Sequence, residues 1–171
     1  MEMDMNLKIR PERADDADAI REITEAAFRL NDHSSGTEGA IIDALREAGA
    51  LTISLVAVID NETVGHVAFS PVTIEGEHLD WFGLGPVAVR PDLHRRGIGS
   101  VLIREGLARL KQARASGCVL VGDPAYYRRF GFENDPALRY EDLPVEYFMR
   151  LAFNGSVPTG RVNFHAGFSA S

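Results

Sequence analysis

The sequence lacks the features that mark exported, disulfide-stabilised and membrane proteins. Its single cysteine, Cys118, cannot form a disulfide within the chain. No apolar run approaches the roughly 20 residues that a membrane-spanning helix needs. Residues 1–5 are acidic and have neither the basic start nor the apolar stretch of a secretory signal. We therefore expect a cytoplasmic protein without a membrane partner.

Positive charge is also scarce. Eighteen Lys and Arg residues stand against 25 Asp and Glu residues, which gives a formal net charge of -7. Nucleic acids and anionic membranes bind clustered cations, so this balance argues against such partners and favours cationic small molecules. The pair Arg95-Arg96 stands out because it is a local cationic spot beside glycines.

The remaining composition is that of one globular domain. Hydrophobic residues make up 45% of the chain and charged residues 25%, which are ordinary values. A chain of this length normally buries about two thirds of its unfolded surface, so it can form a core without metal or disulfides. No internal repeat or linker divides it, and we predict a single domain over residues 1–171. Cys118 lies in an apolar run and is expected to be a buried structural thiol.

Hydrophobic periodicity predicts a mixed α/β fold. Strand patterns occupy residues 5–10, 51–59, 64–74, 79–89, 118–121, 148–153 and 162–165. Helical patterns occupy residues 15–30, 37–48, 97–115 and 124–130. Gly83, Gly85 and Pro86 interrupt the fourth strand, which indicates a bulge or a splayed edge that a ligand or another backbone approaches closely.

The clearest chemical feature is a glycine-containing loop between the fourth strand and the long helix. Residues 87–100 read Val-Ala-Val-Arg-Pro-Asp-Leu-His-Arg-Arg-Gly-Ile-Gly-Ser. Glycines let the backbone approach an anion, and the helix that follows offers unpaired N–H groups and the positive end of its dipole. The loop is therefore suited to bind a phosphate group.

Two common phosphate-binding loops do not fit this stretch. A Walker loop would require Gly-x-x-x-x-Gly-Lys-Ser/Thr, which Arg-Arg-Gly-Ile-Gly-Ser does not provide. A dinucleotide fingerprint would require a third glycine at the position of Ile103 and a leading βαβ unit. A Gly-x-Gly pair alone also occurs in tight strand-to-helix turns, so the surrounding motif has to decide the ligand.

Residues 87–100 resemble the signature of the GNAT superfamily of acetyl-CoA-dependent N-acetyltransferases. That signature is a strand ending in a Leu-x-Val type run, a proline, and then Gln/Arg-x-x-Gly-x-Gly/Ala opening a helix. The match departs at one position, where His94 replaces Gln or Arg. Residues 127–132 resemble a second element of the superfamily, Tyr-x-x-x-Gly-Phe. The resemblance covers residues 7–132, and residues 122–132 are similar to a mostly uncharacterised bacterial branch of predicted acetyltransferases.

The resemblance implies an α/β fold with a mixed, mostly antiparallel central sheet of about seven strands, splayed between strands four and five and flanked by helices. It also implies acetyl-CoA as co-substrate and no metal. The pyrophosphate would rest on backbone N–H groups of the loop, and the pantetheine arm would run beside the splayed strand. The implied cofactor-binding residues are Val87, Ala88, Val89, His94, Arg95, Arg96, Gly97, Ile98, Gly99 and Ser100.

The same resemblance implies that a primary amine attacks the thioester directly, with a backbone N–H near Val87 stabilising the oxyanion. Tyr127 matches the general acid that protonates the departing sulfur, although position alone would make it a core residue. Tyr126 is expected to serve in packing. Acidic residues are expected near the acceptor cleft, where they would steer a cationic amine. These residues are Asp32, Glu38, Glu77 and Asp80.

The general base is not specified by the motifs. Some members of the superfamily carry a carboxylate on the fourth strand six residues before the position of Val89, where this chain has Gly83. Glu38, at the start of the second helix, is our choice for the base or an acceptor contact, and a solvated first-turn acid is an equally good interpretation of it. Further candidates are His33, His66, His78 and Asp80. The histidines form no ligand cluster in sequence, so no metal site is expected.

Three functions stay open at this point. The first is an N-acetyltransferase that acts on a small-molecule or protein amine. The second is a non-catalytic acyl-CoA-binding sensor or regulatory module, which the absence of a carboxylate at Gly83 permits. The third is a nucleotide-binding regulatory domain that uses the same glycine loop. The motif around Tyr127 favours the enzyme, and a monomer and a homodimer are both compatible with the sequence.

Overall fold

One sheet runs through the described part of the chain, which comprises residues 6–29, 36–141 and 144–170 of this computed structural model. Its strands are β1 Lys8–Pro11, β2 Ile53–Ile59, β3 Glu62–Ile74, β4 Trp81–Val89, β5 Gly117–Val121, β6 Leu138–Arg139, β7 Phe148–Ala152 and β8 Gly160–Phe164. Its helices are α1 Ala17–Arg29, α2 Glu38–Glu47, α3 Ile98–Gln112 and α4 Pro124–Tyr127. Within the described ranges, no helix is both long and apolar enough to cross a membrane.

The strand order is β1-β2-β3-β4-β5-β7, and β8 joins the sheet by pairing with β3 and β6. Along the main path every neighbouring pair is antiparallel except β4 and β5, which are parallel. The predicted fold class is therefore confirmed. The described strands number eight rather than about seven because β6, which runs parallel to β8, is only two residues long and has no readable periodicity.

Backbone conformation explains where the helices begin and end. Gly97 precedes α3 with a φ of 85°, so the helix starts at Ile98. At its other end Arg114 adopts a φ of 67°, which ends the helix at Gln112 rather than at the predicted residue 115. The first helix starts at Ala17 rather than at residue 15 because Ala14–Asp16 forms a 3-10 turn. The position of Leu30, which the periodicity assigned to α1, lies outside the described residues.

Helices cover both faces of the sheet. Phe69 of β3 is fully buried and packs in one cluster with Leu102 and Ile103 of α3. On the opposite face Val56 of β2 packs with Ile20 of α1. Alternate residues of a strand point to opposite faces, so β2 and β3 bury apolar residues on both sides, with His66 and Ser70 as the buried polar residues of β3. Cys118 is fully buried in the cluster around Phe69, as its sequence context predicts.

The parallel strands β4 and β5 stay paired for only three residues each. Trp81, Phe82 and Gly83 pair with residues 117–119, and β4 then continues to Val89 without β5. The predicted splay is thus present. It opens just after Gly83, where a side chain would collide with the Phe164 ring, because a Cβ would lie 2.7 Å from its Cε2 atom.

Two glycines of α3 give a test of this packing. A Cβ at Gly106 would lie 2.2 Å from Cε1 of Phe69, whereas a Cβ at Gly99 would be 3.7 Å from its nearest neighbour. We expect Gly106→Ala to lower the free energy of unfolding by about 1–3 kcal/mol, the usual cost of overpacking. The matched variant Gly99→Ala should be neutral or slightly stabilising, since alanine favours helix. Urea unfolding of both variants measures the difference, and equal stabilities would contradict the packing described for α3.

Candidate active site

A cleft of about 520 Å³ lies where α1 ends, β4 ends and α3 begins. Nine of the ten residues predicted to hold the cofactor line it, and Arg96 is the exception. The other walls come from Ala27 and Phe28 of α1, from Leu93, and from Tyr126 and Arg129. The structure therefore brings the predicted loop and the predicted strand into one cavity.

The edge of β4 that faces away from β3 is open toward this cleft. The N–H of Arg90 donates to the carbonyl of Val64 in β3, so the carbonyl of Val89 in the same peptide unit points the other way. In a strand the N–H and C=O of one residue share a side, and alternate residues repeat that direction. Val87 and Val89 therefore direct backbone polar groups away from β3, along the stretch where β5 has already diverged.

The start of α3 forms the floor of the cleft. The first helical hydrogen bond runs from the N–H of Val101 to the carbonyl of Gly97, at 3.0 Å. Backbone N–H groups earlier in a first turn have no partner inside the helix and carry the positive end of its dipole. At Gly99 the floor is bare, since the nearest atoms to a Cβ would be in Val89 and Tyr126 at 3.7 and 3.8 Å. This geometry suits a phosphate group.

His94 ties the loop to the strand. Its Nε2 atom lies 2.7 Å from the carbonyl oxygen of Val89, and the nitrogen must carry the hydrogen because a carbonyl only accepts. The imidazole thus provides a contact at the one position where the signature has Gln or Arg. Next to it, Arg95 adopts a left-handed φ of 66°, a conformation that costs a non-glycine residue roughly 1 kcal/mol.

The charged side chains on the cleft walls are cationic. Arg95 and Arg129 line it, no acidic residue of the described chain does, and neither arginine has a salt bridge among the described residues. The Arg129 guanidinium stacks over the Tyr126 ring at 4.5 Å, and its Nε donates to the Tyr126 carbonyl at 3.0 Å. A positive cavity in an acidic chain is what an anionic ligand requires.

The two neighbouring tyrosines have different surroundings. Tyr127 packs between Phe130 and Phe132, and Gly122 leaves room for its ring, since a Cβ there would lie 2.5 Å from Cε2. Burial raises the pKa of Tyr127 to about 12, so its hydroxyl keeps its proton at neutral pH. Tyr126, expected only to pack, lines the cleft, whereas Tyr127, the predicted acid, is not among the residues that line it.

A model of the family described as "Acetyltransferase (GNAT) domain" matches residues 8–134. The chain belongs to the GNAT acetyltransferase family. The Escherichia coli K12 protein "Uncharacterized N-acetyltransferase YhbS" is 40% identical over 170 residues, which cover 94% of this chain and 98% of the relative. This GNAT chain is therefore similar over nearly its whole length to a protein of the same family.

Two solved structures share this fold closely. A GNAT family acetyltransferase from Brucella melitensis, in complex with acetyl-CoA, is 52% identical with a TM-score of 0.87, and the match covers 96% of this chain and 99% of that one. Escherichia coli YhbS in complex with CoA is 35% identical with a TM-score of 0.83, and the match covers 96% and 92% of the two chains. The mixed sheet described above is thus a GNAT fold.

Most of the acids and bases considered for the GNAT reaction lie away from the cleft. Glu38 is the first residue of α2 and does not line it. Glu77, His78 and Asp80 are exposed in the turn between β3 and β4, at the opposite end of β4 from Val89. The structure therefore does not place these three near the described cavity, because an extended strand separates them from it. Two further candidates, Asp32 and His33, lie outside the described residues.

His66 is buried one strand behind the cleft, opposite Ala88 in β4. Its Nε2 atom is 2.7 Å from the Ser54 hydroxyl, which donates to a Glu12 carboxylate oxygen at 2.5 Å. Because the serine proton goes to the carboxylate, Nε2 carries the imidazole hydrogen and Nδ1 is left without a partner. Burial lowers the pKa of His66 to about 4, which makes the neutral imidazole a weak base.

The depressed pKa of His66 predicts a pH-dependent stability. In the unfolded chain the imidazole becomes protonated as the pH falls below its ordinary pKa of 6.5. In the folded chain it becomes protonated only near pH 4. The free energy of unfolding should therefore fall by about 3 kcal/mol as pH drops from 7 to 4 through this residue. Urea unfolding across that range should show a smaller fall for His66→Gln. An identical pH dependence in both proteins would exclude the assignment.

Proposed function

We propose that the protein transfers the acetyl group of acetyl-CoA to a primary amine by direct attack. The observation that carries the proposal is the open edge of β4 beside a bare helix start in one cationic cleft. The complex of the Brucella melitensis relative with acetyl-CoA supports the choice of ligand. The acceptor is a small-molecule or protein amine.

The two halves of CoA fit two kinds of surface in this cleft. Backbone N–H groups of Ile98, Gly99 and Ser100 would hold the pyrophosphate, with Arg95 and Arg129 supplying positive charge. The amides of the pantetheine arm would pair with Val87 and Val89, as a short added strand pairs with a sheet edge. His94 already occupies the carbonyl of Val89, so the arm meets the N–H of Val89 and both polar groups of Val87.

The transfer itself needs one proton donor and one proton acceptor. The amine nitrogen attacks the thioester carbonyl, a C–N bond forms, and the C–S bond breaks. The Tyr127 hydroxyl gives its proton to the departing thiolate, and the amine gives up a proton as it becomes an amide. Tyr127 packs against the rings of Phe130 and Phe132, and a thiolate released beside these apolar rings is a stronger base than in water, which offsets the raised pKa of Tyr127. Glu38 is our proposal for the acceptor contact or base.

Ligand-induced stabilisation tests the cradle. Acetyl-CoA at 100 times its dissociation constant should stabilise the protein by about 2.7 kcal/mol, measurable as a rise in melting temperature. Gly99→Glu should abolish the rise, because its carboxylate would occupy the floor of the cleft and repel phosphate. Gln112→Glu adds the same charge at the far end of the same helix and should keep the rise. Equal responses in the two variants would refute the cradle.

Turnover tests the proposed acid. Tyr127→Phe should keep the affinity for acetyl-CoA and lose roughly a hundredfold in kcat, the scale of general acid catalysis. Wild-type kcat should show no alkaline loss from this hydroxyl below about pH 10, since its pKa is near 12. Tyr126→Phe is the matched control, and a larger loss there would move the acid to Tyr126. Acetyl-CoA binding without thiol release from any amine would favour the sensor, and competition by ATP would favour the nucleotide-binding module.

A further inference from the structure

Three large apolar side chains are held in solvent at one place. Val121 and Tyr147 are each 45% exposed and Val145 is 76% exposed. The N–H of Gly122 donates to the carbonyl of Tyr147 at 2.8 Å, so the end of β5 is joined to the turn that precedes β7. We call Val121, Val145 and Tyr147 the apolar platform.

The platform is rigidly presented. The side-chain amide nitrogen of Asn134 lies 3.1 Å from the carbonyl oxygen of Val145, 2.9 Å from that of Glu146 and 3.1 Å from that of Phe148. This one amide group therefore holds the 3-10 turn Val145–Tyr147 in shape. In a flexible loop the valine could turn its apolar side chain away from water. The fixed turn prevents this, so the exposure of Val145 is a property of the fold.

The platform lies at the end of β5 that has parted from β4, with Val121 on β5 itself and the other two residues on the β7 side of it. Val121 is the last residue of β5, at the strand end where β4 has already parted from it. Leu120 lies in the same buried cluster as Tyr127, and successive side chains of a strand point to opposite faces. Val121 thus lies on the face opposite Tyr127. An amine approaching from the platform would reach the gap from the side away from the proposed acid.

Acidic groups flank the platform. Asp123 follows Gly122 and is exposed, with one carboxylate oxygen accepting the N–H of Ala125. Glu146 lies between the two apolar residues of the turn and is also exposed. Negative charge beside an apolar surface complements a molecule that carries an ammonium group on an apolar body. The CoA cleft, by contrast, has cationic walls.

We propose that the apolar platform binds the acceptor, and that the acceptor is a cationic primary amine with an apolar or aromatic body. This inference rests on the acetyl transfer proposed above and specifies its substrate class. The platform would contact the body, the flanking carboxylates would attract the ammonium group, and the nitrogen would enter the gap after losing a proton. A purely polar polyamine would gain little from these three side chains.

Two probes of equal charge test the proposal, namely 2-phenylethylamine and ethylamine. Wild-type kcat/KM should be at least about tenfold higher for 2-phenylethylamine, the scale of discrimination by one apolar group. Tyr147→Asn and Val145→Asn should each reduce that ratio several-fold while leaving acetyl-CoA affinity unchanged. The control is Leu79→Asn, which removes an exposed apolar side chain in the turn before β4 and should keep the wild-type ratio.

Three results would overturn this assignment in distinguishable ways. A wild-type ratio near one, or a ratio that Tyr147→Asn and Val145→Asn leave intact, would remove the platform from the acceptor site while acetyl transfer stands. A second such result is a wild type that sediments as a dimer, which Val145→Asn dissociates, with the same ratio of kcat/KM values in both proteins. That result would make the platform an interface between two copies of the chain. Failure of the wild type to acetylate either amine or a broader set of primary amines would instead refute the proposed function.

Discussion

The parting of β4 from β5 is the constraint on which the rest of the site depends. Beyond Gly83, β4 presents backbone N–H and C=O groups that no neighbouring strand satisfies. Unpaired backbone groups away from bulk water are costly, so an open edge inside a protein calls for a partner. The end of α1, the start of α3 and Tyr126 gather around this edge. The fold thus leaves one edge of β4 unpaired, and a ligand with amide groups can form hydrogen bonds with it.

Charge is distributed so that the cleft stays positive in an acidic protein. Carboxylates pair with arginines elsewhere, as Asp16 does with Arg10 and Glu12 with Arg46, each at 2.7 Å. The first pair joins the 3-10 turn before α1 to β1, and the second joins α2 to the end of β1. The arginines on the cleft walls keep their charge for a ligand. The acids next to the apolar platform, Asp123 and Glu146, do not line this cleft. A phosphate-bearing donor and a cationic acceptor would therefore approach from differently charged surfaces.

The sequence predicted the parts of this arrangement that depend on local patterns. Glycine spacing and a following helix indicated the loop from His94 to Ser100, and Gly83, Gly85 and Pro86 indicated the splay.

The placement of residues that are distant in sequence could not be predicted from such local patterns. Nothing local shows that Phe164 fills the space at Gly83, which explains why a carboxylate has no room there. For the same reason the sequence could not show that Glu77 and Asp80, predicted near the acceptor, lie at the opposite end of β4 from the cofactor cleft. Tyr126 was assigned to packing because only a three-dimensional structure shows its ring on the cleft wall.

The central claim is that the open edge of β4 and the first turn of α3 bind acetyl-CoA. Backbone amide resonances measured by NMR during an acetyl-CoA titration test it most directly. The amides of Ile98, Gly99 and Ser100 should shift strongly and exchange more slowly with solvent, because a bound pyrophosphate would accept their hydrogen bonds, and Val87 and Val89 should respond with them. Saturating binding that leaves these five amides unchanged, with shifts confined to the groove between α3 and β7 around Arg104 and Phe153, would contradict the account.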